Sequence, residues 1–216
     1  MNKNKSLIQS VAKEVKDLTE GEGTGHDWWH LYRVWKLTQQ LMRDAQGNSE
    51  IAELAALTHD LADHKLTDPD KGVLHIRELL SKHGAKVEVI EAVIDIAKNI
   101  SFKGAAVNQP KLSPEGMIVQ DADRLDAIGA IGVARTFAYG GSKARAIYDP
   151  DINPEMHQSF EDYKKSTAPT INHFYEKLLL LKDRLNTPQA KRIAEERHAF
   201  MEQFLERFYQ EWEGEK

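Results

Sequence analysis

Two runs in this chain carry residues whose types and spacing can do chemistry. The first is Ala55-Ala56-Leu57-Thr58-His59-Asp60-Leu61-Ala62-Asp63-His64, an apolar helical run that ends on two histidines and two aspartates. A soluble helix normally leaves such residues in water on one face. Here His59-Asp60 follows small and apolar residues, which predicts a pair at least half buried. Buried imidazoles and carboxylates need partners, and a divalent cation is an efficient one. The plainer alternative is a helix end with a solvated cluster of charges. The second run is Val119-Gln120-Asp121-Ala122-Asp123-Arg124-Leu125-Asp126-Ala127-Ile128-Gly129-Ala130. Asp123 and Asp126 are three apart and share a helical face. A solvated face would interleave lysine and glutamate with these aspartates, and this run does not. Its alternative is an aspartate–arginine network that holds helices together.

Helices must position both runs, because nearly every apolar periodicity in the chain is helical. Leu7, Val11, Val15 and Leu18 mark a first helix. Asp27 can cap a second, whose stripe is Leu31, Val34, Leu37 and Leu41, with His30 in its first turn. Ser49 is expected to cap a third, which runs into His59-Asp60. Asp68-Pro69 starts a fourth, and a fifth spans about Lys86 to Lys98. Ser113-Pro114 opens a sixth, expected to reach Tyr139 and to stop at Gly140-Gly141. Residues 142–165 lack periodicity and read as a long loop or lid, where Lys143, Arg145 and Tyr148 either close over an anion or are ordinary loop residues. A seventh helix from about Thr167 to Leu185 and an eighth from Thr187-Pro188 to Trp212 form a hairpin. The expected fold is all-α and a single domain, with a core at about 24–145, the lid at about 140–165 and the hairpin at about 166–213.

Composition narrows the classes. The chain has 216 residues, 41% hydrophobic and 29% charged, enough for one sizeable core. A net charge of −5 argues against broad nucleic-acid binding. There is no cysteine, so a metal would use nitrogen and oxygen ligands. The polar start and the lack of a long apolar run predict a cytoplasmic protein without membrane spans.

The order His30, His59-Asp60, Asp123 resembles the HD-domain metal-dependent phosphohydrolase superfamily over about residues 24–145. Local context agrees: His26-Asp27-Trp28-Trp29-His30 followed by Arg33-Val34, the acid Asp63 three after the doublet, and Ala122-Asp123-Arg124-Leu125-Asp126-Ala127. Ser101-Phe102-Lys103 and the run from Gln120 to Ala130 look like a bacterial branch that includes nucleotide hydrolases. The resemblance implies that His30, His59, Asp60 and Asp123 bind one divalent metal. Mn²⁺ is favoured, with Fe²⁺, Co²⁺, Ni²⁺, Zn²⁺ or Mg²⁺ as alternatives. It implies a phosphorylated small-molecule substrate, a nucleotide, with triphosphate cleaved to monophosphate and pyrophosphate. Monophosphate dephosphorylation, alarmone or cyclic-nucleotide hydrolysis, a two-iron oxygenase and an inactive binding module are the rivals. Asp63 is the candidate for proton transfer, with Lys103, Arg124 and Asp126 as further catalytic candidates. His26 and His64 either line the pocket or lie exposed. Trp28, Trp29 and Trp35 are expected in the core rather than as base-stacking platforms. A homodimer is allowed.

Overall fold

The computed structural model describes residues 3–19, 27–62, 69–100, 111–156 and 167–216. Helices are the regular elements among them, and no strand occurs among the described residues. They are α1 (Lys3–Thr19), α2 (Trp28–Leu41), α3 (Ser49–Thr58), a 3-10 turn (His59–Ala62), α4 (Pro69–Lys82), α5 (Val87–Asn99), α6 (Pro114–Asp126), α7 (Gly129–Ser142), α8 (Asn172–Glu176), a 3-10 segment (Leu178–Arg184) and α9 (Pro188–Trp212). Two compact units divide the described residues, one up to Ala122 and one from Asp123 onward. No helix among the described residues is long and apolar enough to cross a membrane.

The first unit is built around α3. Its Ala52, Leu54, Ala55, Ala56 and Leu57 are all fully buried, and it packs against α1, α2 and α5. A helix apolar on nearly all sides has to be central, and its small alanines let the neighbours approach closely. The consequence is chemical: the chain leaving α3 is still inside the protein when it reaches His59. Asn48, one residue earlier than the expected Ser49, caps α3. Its backbone is extended and its side chain accepts from Glu50 N at 3.0 Å. Ser49 is the first helical residue instead. Pro69 takes the first position of α4 as expected, whereas Asp68 is outside the described residues.

At the far end of α4, Lys82 Nζ and His83 Nε2 both reach Glu14 Oε2 of α1 at 2.8 Å. Donation from Lys82 and then His83 holds the Glu14 carboxyl below the usual carboxylate range, with burial opposing. A depressed carboxylate stabilises the fold above its unfolded value and loses that contribution as pH falls through its folded value. Glu14→Gln is therefore expected to flatten the acid side of the stability–pH profile, read by urea unfolding across pH 3 to 7 in the sense of about one group's linkage. An unaltered acid slope would show that the contact does not hold α1.

The expected sixth helix is two helices. Ile128 is extended and Gly129 has φ of 76°, so the chain breaks after Asp126 and restarts as α7. A side chain at Gly129 would be strained there, and its Cβ would lie 2.9 Å from Arg197 Cγ. Gly140 and Gly141 do not stop α7, which runs to Ser142. Ala144 takes the left-handed turn at φ of 52°. Residues 143–156 are non-helical, the remainder of the expected loop, 157–165, lies outside the described residues, and Tyr148 is no free lid residue. Its ring packs edge-on against Phe208, Tyr209 and Trp212. Lys143 and Arg145 each lie over the Tyr139 ring, 5.7 Å from its centre.

The C-terminal hairpin is uneven. Its first arm is not one helix, because Lys177 (φ −144°, ψ −56°) separates α8 from the 3-10 segment. Its second arm is the long α9, which starts as read, with Thr187 capping through Ala190 N and Pro188 first. The 3-10 segment packs on α9. Phe137, Phe174 and Phe204 close the core of this unit, with ring centres 5.8–6.1 Å apart.

Candidate metal centre

His30 and the His59-Asp60 doublet arrive from different elements. Asp27 caps α2 with its carboxylate accepting from His30 N at 3.0 Å, so the cap bonds the backbone of the candidate ligand itself. His30 belongs to the buried face of α2, with Leu31, Val34, Trp35, Thr38 and Leu41. His59 and Asp60 follow directly from α3, in the 3-10 turn. All three are buried, at 1%, 5% and 4% exposure. Each offers one ligand atom, and these atoms all lie within 4.8 Å of one another.

His59 Nδ1 lies 3.0 Å from the carbonyl oxygen of Ala56. A carbonyl only accepts, so Nδ1 carries the proton and donates. In the neutral ring, Nε2 then presents a lone pair. That lone pair faces Asp60 Oδ1 at 3.3 Å, while His30 Nε2 lies 3.3 Å from Oδ2 of the same carboxylate. A proton-bridged N⁺–H···O⁻ contact would be shorter, about 2.7–2.9 Å. For metal bonds of about 2.1 Å, two ligand atoms sit about 3.0 Å apart at a right angle and about 3.4 Å at the tetrahedral angle. The observed 3.3 Å falls between these values. The residues present therefore fit a divalent ion. The carbonyl behind His59 is the kind of outer partner that fixes a ligand imidazole. The two rings meet at 68° with centres 5.4 Å apart, so they present their nitrogens from different directions.

The other expected residues are placed as follows. Asp123 is half-buried on α6, the first residue of the second unit. Arg124 is buried and donates to the carbonyl of Arg184. Asp126 is 1% exposed and accepts from Arg135 Nη1 at 2.5 Å. Asp63, Lys103, His26 and His64 lie outside the described residues. Trp35 is in the core, Trp28 is half-buried, and Trp29 is 58% exposed, which corrects the expectation of a core residue. Neighbours on a helix point about 100° apart, and with His30 and Leu31 facing in, Trp29 faces out. Sequence reasoning also missed Arg135 and Arg197. Arg197 donates from α9 to the carbonyl of Leu125, across 72 residues and with no local signal.

Residues 28–128 match the HD domain family. The chain is 39% identical over 200 residues to the uncharacterised protein YpgQ of Bacillus subtilis (strain 168), covering 91% of this chain and 89% of that one. With that family match and relatives of this likeness, the chain belongs to the HD superfamily of metal-dependent phosphohydrolases. Among solved structures, it resembles an HD-superfamily hydrolase from Bacillus thuringiensis at 42% identity and TM-score 0.77, over 98% of this chain and 99% of that one. It also resembles B. subtilis YpgQ in complex with ADP, at 35% identity and TM-score 0.78, over 97% and 96% of the two chains.

Proposed function

We propose that this protein hydrolyses a nucleotide, cleaving a (deoxy)nucleoside triphosphate to the monophosphate and pyrophosphate. The observation that carries the reading is the buried carboxylate of Asp60 set between His30 Nε2 and His59 Nε2 at 3.3 Å on either side. The ADP found in YpgQ supports a nucleotide as ligand. His30, His59 and Asp60 would hold the ion, with Asp123 as a fourth ligand and Mn²⁺ as the favoured metal. When bound, that ion supplies Lewis acidity toward a phosphoryl oxygen and toward water. The chain's own part is to fix the donors. Ala56 O sets the His59 tautomer, the Asp27 cap sets the His30 backbone, and the packing of α3 keeps the doublet away from bulk water.

Asp63 is assigned the proton. It takes one from the attacking water as the water oxygen bonds to phosphorus and the bridging P–O bond breaks. Lys103 is assigned to the charge of the leaving pyrophosphate. Arg124 and Asp126 are assigned to holding the last turn of α6, since their partners are a backbone carbonyl and Arg135.

The test is a screen of nucleotides against Mn²⁺, Co²⁺, Ni²⁺, Zn²⁺ and Mg²⁺, with separate detection of pyrophosphate and orthophosphate. Pyrophosphate released from triphosphates is expected. Orthophosphate released from monophosphates would replace the reading with a nucleotidase. Binding without turnover under every metal would leave a binding module.

A further inference from the structure

Next to buried His30, the exposed Trp29 is held in a defined place. Its ring meets Tyr32 edge-on at 81°, with centres 5.9 Å apart. The Tyr32 ring is in turn flanked by Trp28 at 5.9 Å and by Trp35 at 6.4 Å. Lys36 Nζ lies 5.4 Å from the Tyr32 ring centre and 5.1 Å from that of Trp35. Trp29, Tyr32 and Lys36 therefore make one stripe along α2, anchored on the buried Trp35. Lone exposed apolar side chains are common and need no account. This one is a large flat ring, backed by a second ring, at the residue preceding a candidate metal ligand.

The distances favour a small ligand that begins at His30. Consecutive Cα atoms are about 3.8 Å apart, and consecutive helical side chains diverge by about 100°. The Trp29 ring, pointing out beside the inward His30, is separated from a ligand seated at His30, His59 and Asp60 by no more than one Cα–Cα step and two side-chain lengths, a span of about one nucleotide. A phosphate needs the cation and nothing aromatic. A heterocyclic base needs a π-face and no charge, and every base has one to offer.

We propose that Trp29, braced by Tyr32, is the platform on which the base of the nucleotide stacks. This rests on the nucleotide reading above. Trp29 then sets affinity for the base without selecting strongly among bases, because stacking tolerates any of them. Tyr32 keeps the ring from rotating away, so less ordering is left to be done on binding.

The experiment uses the full chain loaded with Mn²⁺ and two probes: ADP, and inorganic tripolyphosphate, which has no base. Binding of each is read by titration calorimetry for the wild type, Trp29→Ala and Trp29→Phe, with metal content measured in all three. ADP is expected to bind Trp29→Ala about tenfold or more weakly, and Trp29→Phe to recover most of that. Tripolyphosphate affinity and metal content are expected to be unchanged. ADP binding within about twofold of wild type in Trp29→Ala would overturn the platform and leave the nucleotide reading standing. Equal losses for both probes would also overturn it, because the effect would then have passed through His30. A wild type that binds no ADP and turns over no nucleotide would end both.

Discussion

Asp60→Ala is expected to lose the metal and with it to lower kcat/KM by at least about a hundredfold, since loss of even an outer partner of a metal ligand costs about 10–100-fold. Asp60 is singled out because its two oxygens face two different imidazoles, each at 3.3 Å. Remove it, and the remaining nitrogens of His30 and His59 belong to separate elements with no shared anion between them. Charge matters as much as geometry. Without Asp60, two neutral imidazoles and the one remaining carboxylate proposed, Asp123, leave a charge of +1 on a divalent ion unbalanced beside histidines that are less than about a tenth exposed. His59→Ala is expected to behave alike, since it removes the one imidazole whose tautomer is fixed by the Ala56 carbonyl. The readout besides turnover is thermodynamic. An ion that binds the folded chain stabilises it by about 2.7 kcal/mol at a hundred times its Kd. Adding Mn²⁺ should therefore raise the Tm of the wild type and leave both variants unmoved. Elemental analysis showing undiminished metal in both variants would reject these ligands.

What the sequence made legible follows from how local each signal is. His30 was readable because Asp27 is an N-cap and its partner is three residues away, inside one helical turn. His59-Asp60 was readable because burial of a dipeptide follows from the apolar residues just before it, Ala55, Ala56 and Leu57. The break between α6 and α7 was not readable. Ala127-Ile128-Gly129-Ala130 continues the apolar pattern, and small residues there suit close packing as well as a turn. What decides for a turn is the φ of Gly129 and the approach of Arg197 from α9. The split first arm of the hairpin is similar, since Leu178, Leu179, Leu180 and Leu181 fit a 3-10 segment as readily as an α-helix. Trp29 departs from the core expectation for a different reason: its residue type favours burial, while its angular position on α2 lies off the buried face. The pairing of Asp126 with Arg135 has no local signal either, because Arg135 lies beyond the break.

Asp126→Ala is expected to cost about 3–5 kcal/mol of stability, the range for removing one member of a buried ion pair. The carboxylate is 1% exposed and 2.5 Å from Arg135 Nη1. It also faces Arg197, whose guanidinium burial pulls below its ordinary value while the charge of Asp126 opposes that pull. With the carboxylate gone, Arg197 keeps its bond to the Leu125 carbonyl but loses its counter-charge in a desolvated place. The loss falls at the end of α6, beside the left-handed turn at Gly129. Arg135→Ala should cost less. The Arg135 side chain is 25% exposed, and Asp126 would still face Arg197. Asp126→Asn separates the two roles assigned to this residue. An amide keeps the shape and one acceptor but not the charge, so a positioning residue loses stability in urea while kcat of the folded fraction holds. A catalytic Asp126 would reverse that pattern, with near-native stability and a kcat lower by about a hundredfold or more. That result would return Asp126 to the reacting atoms and leave Arg135 and Arg197 as its supports.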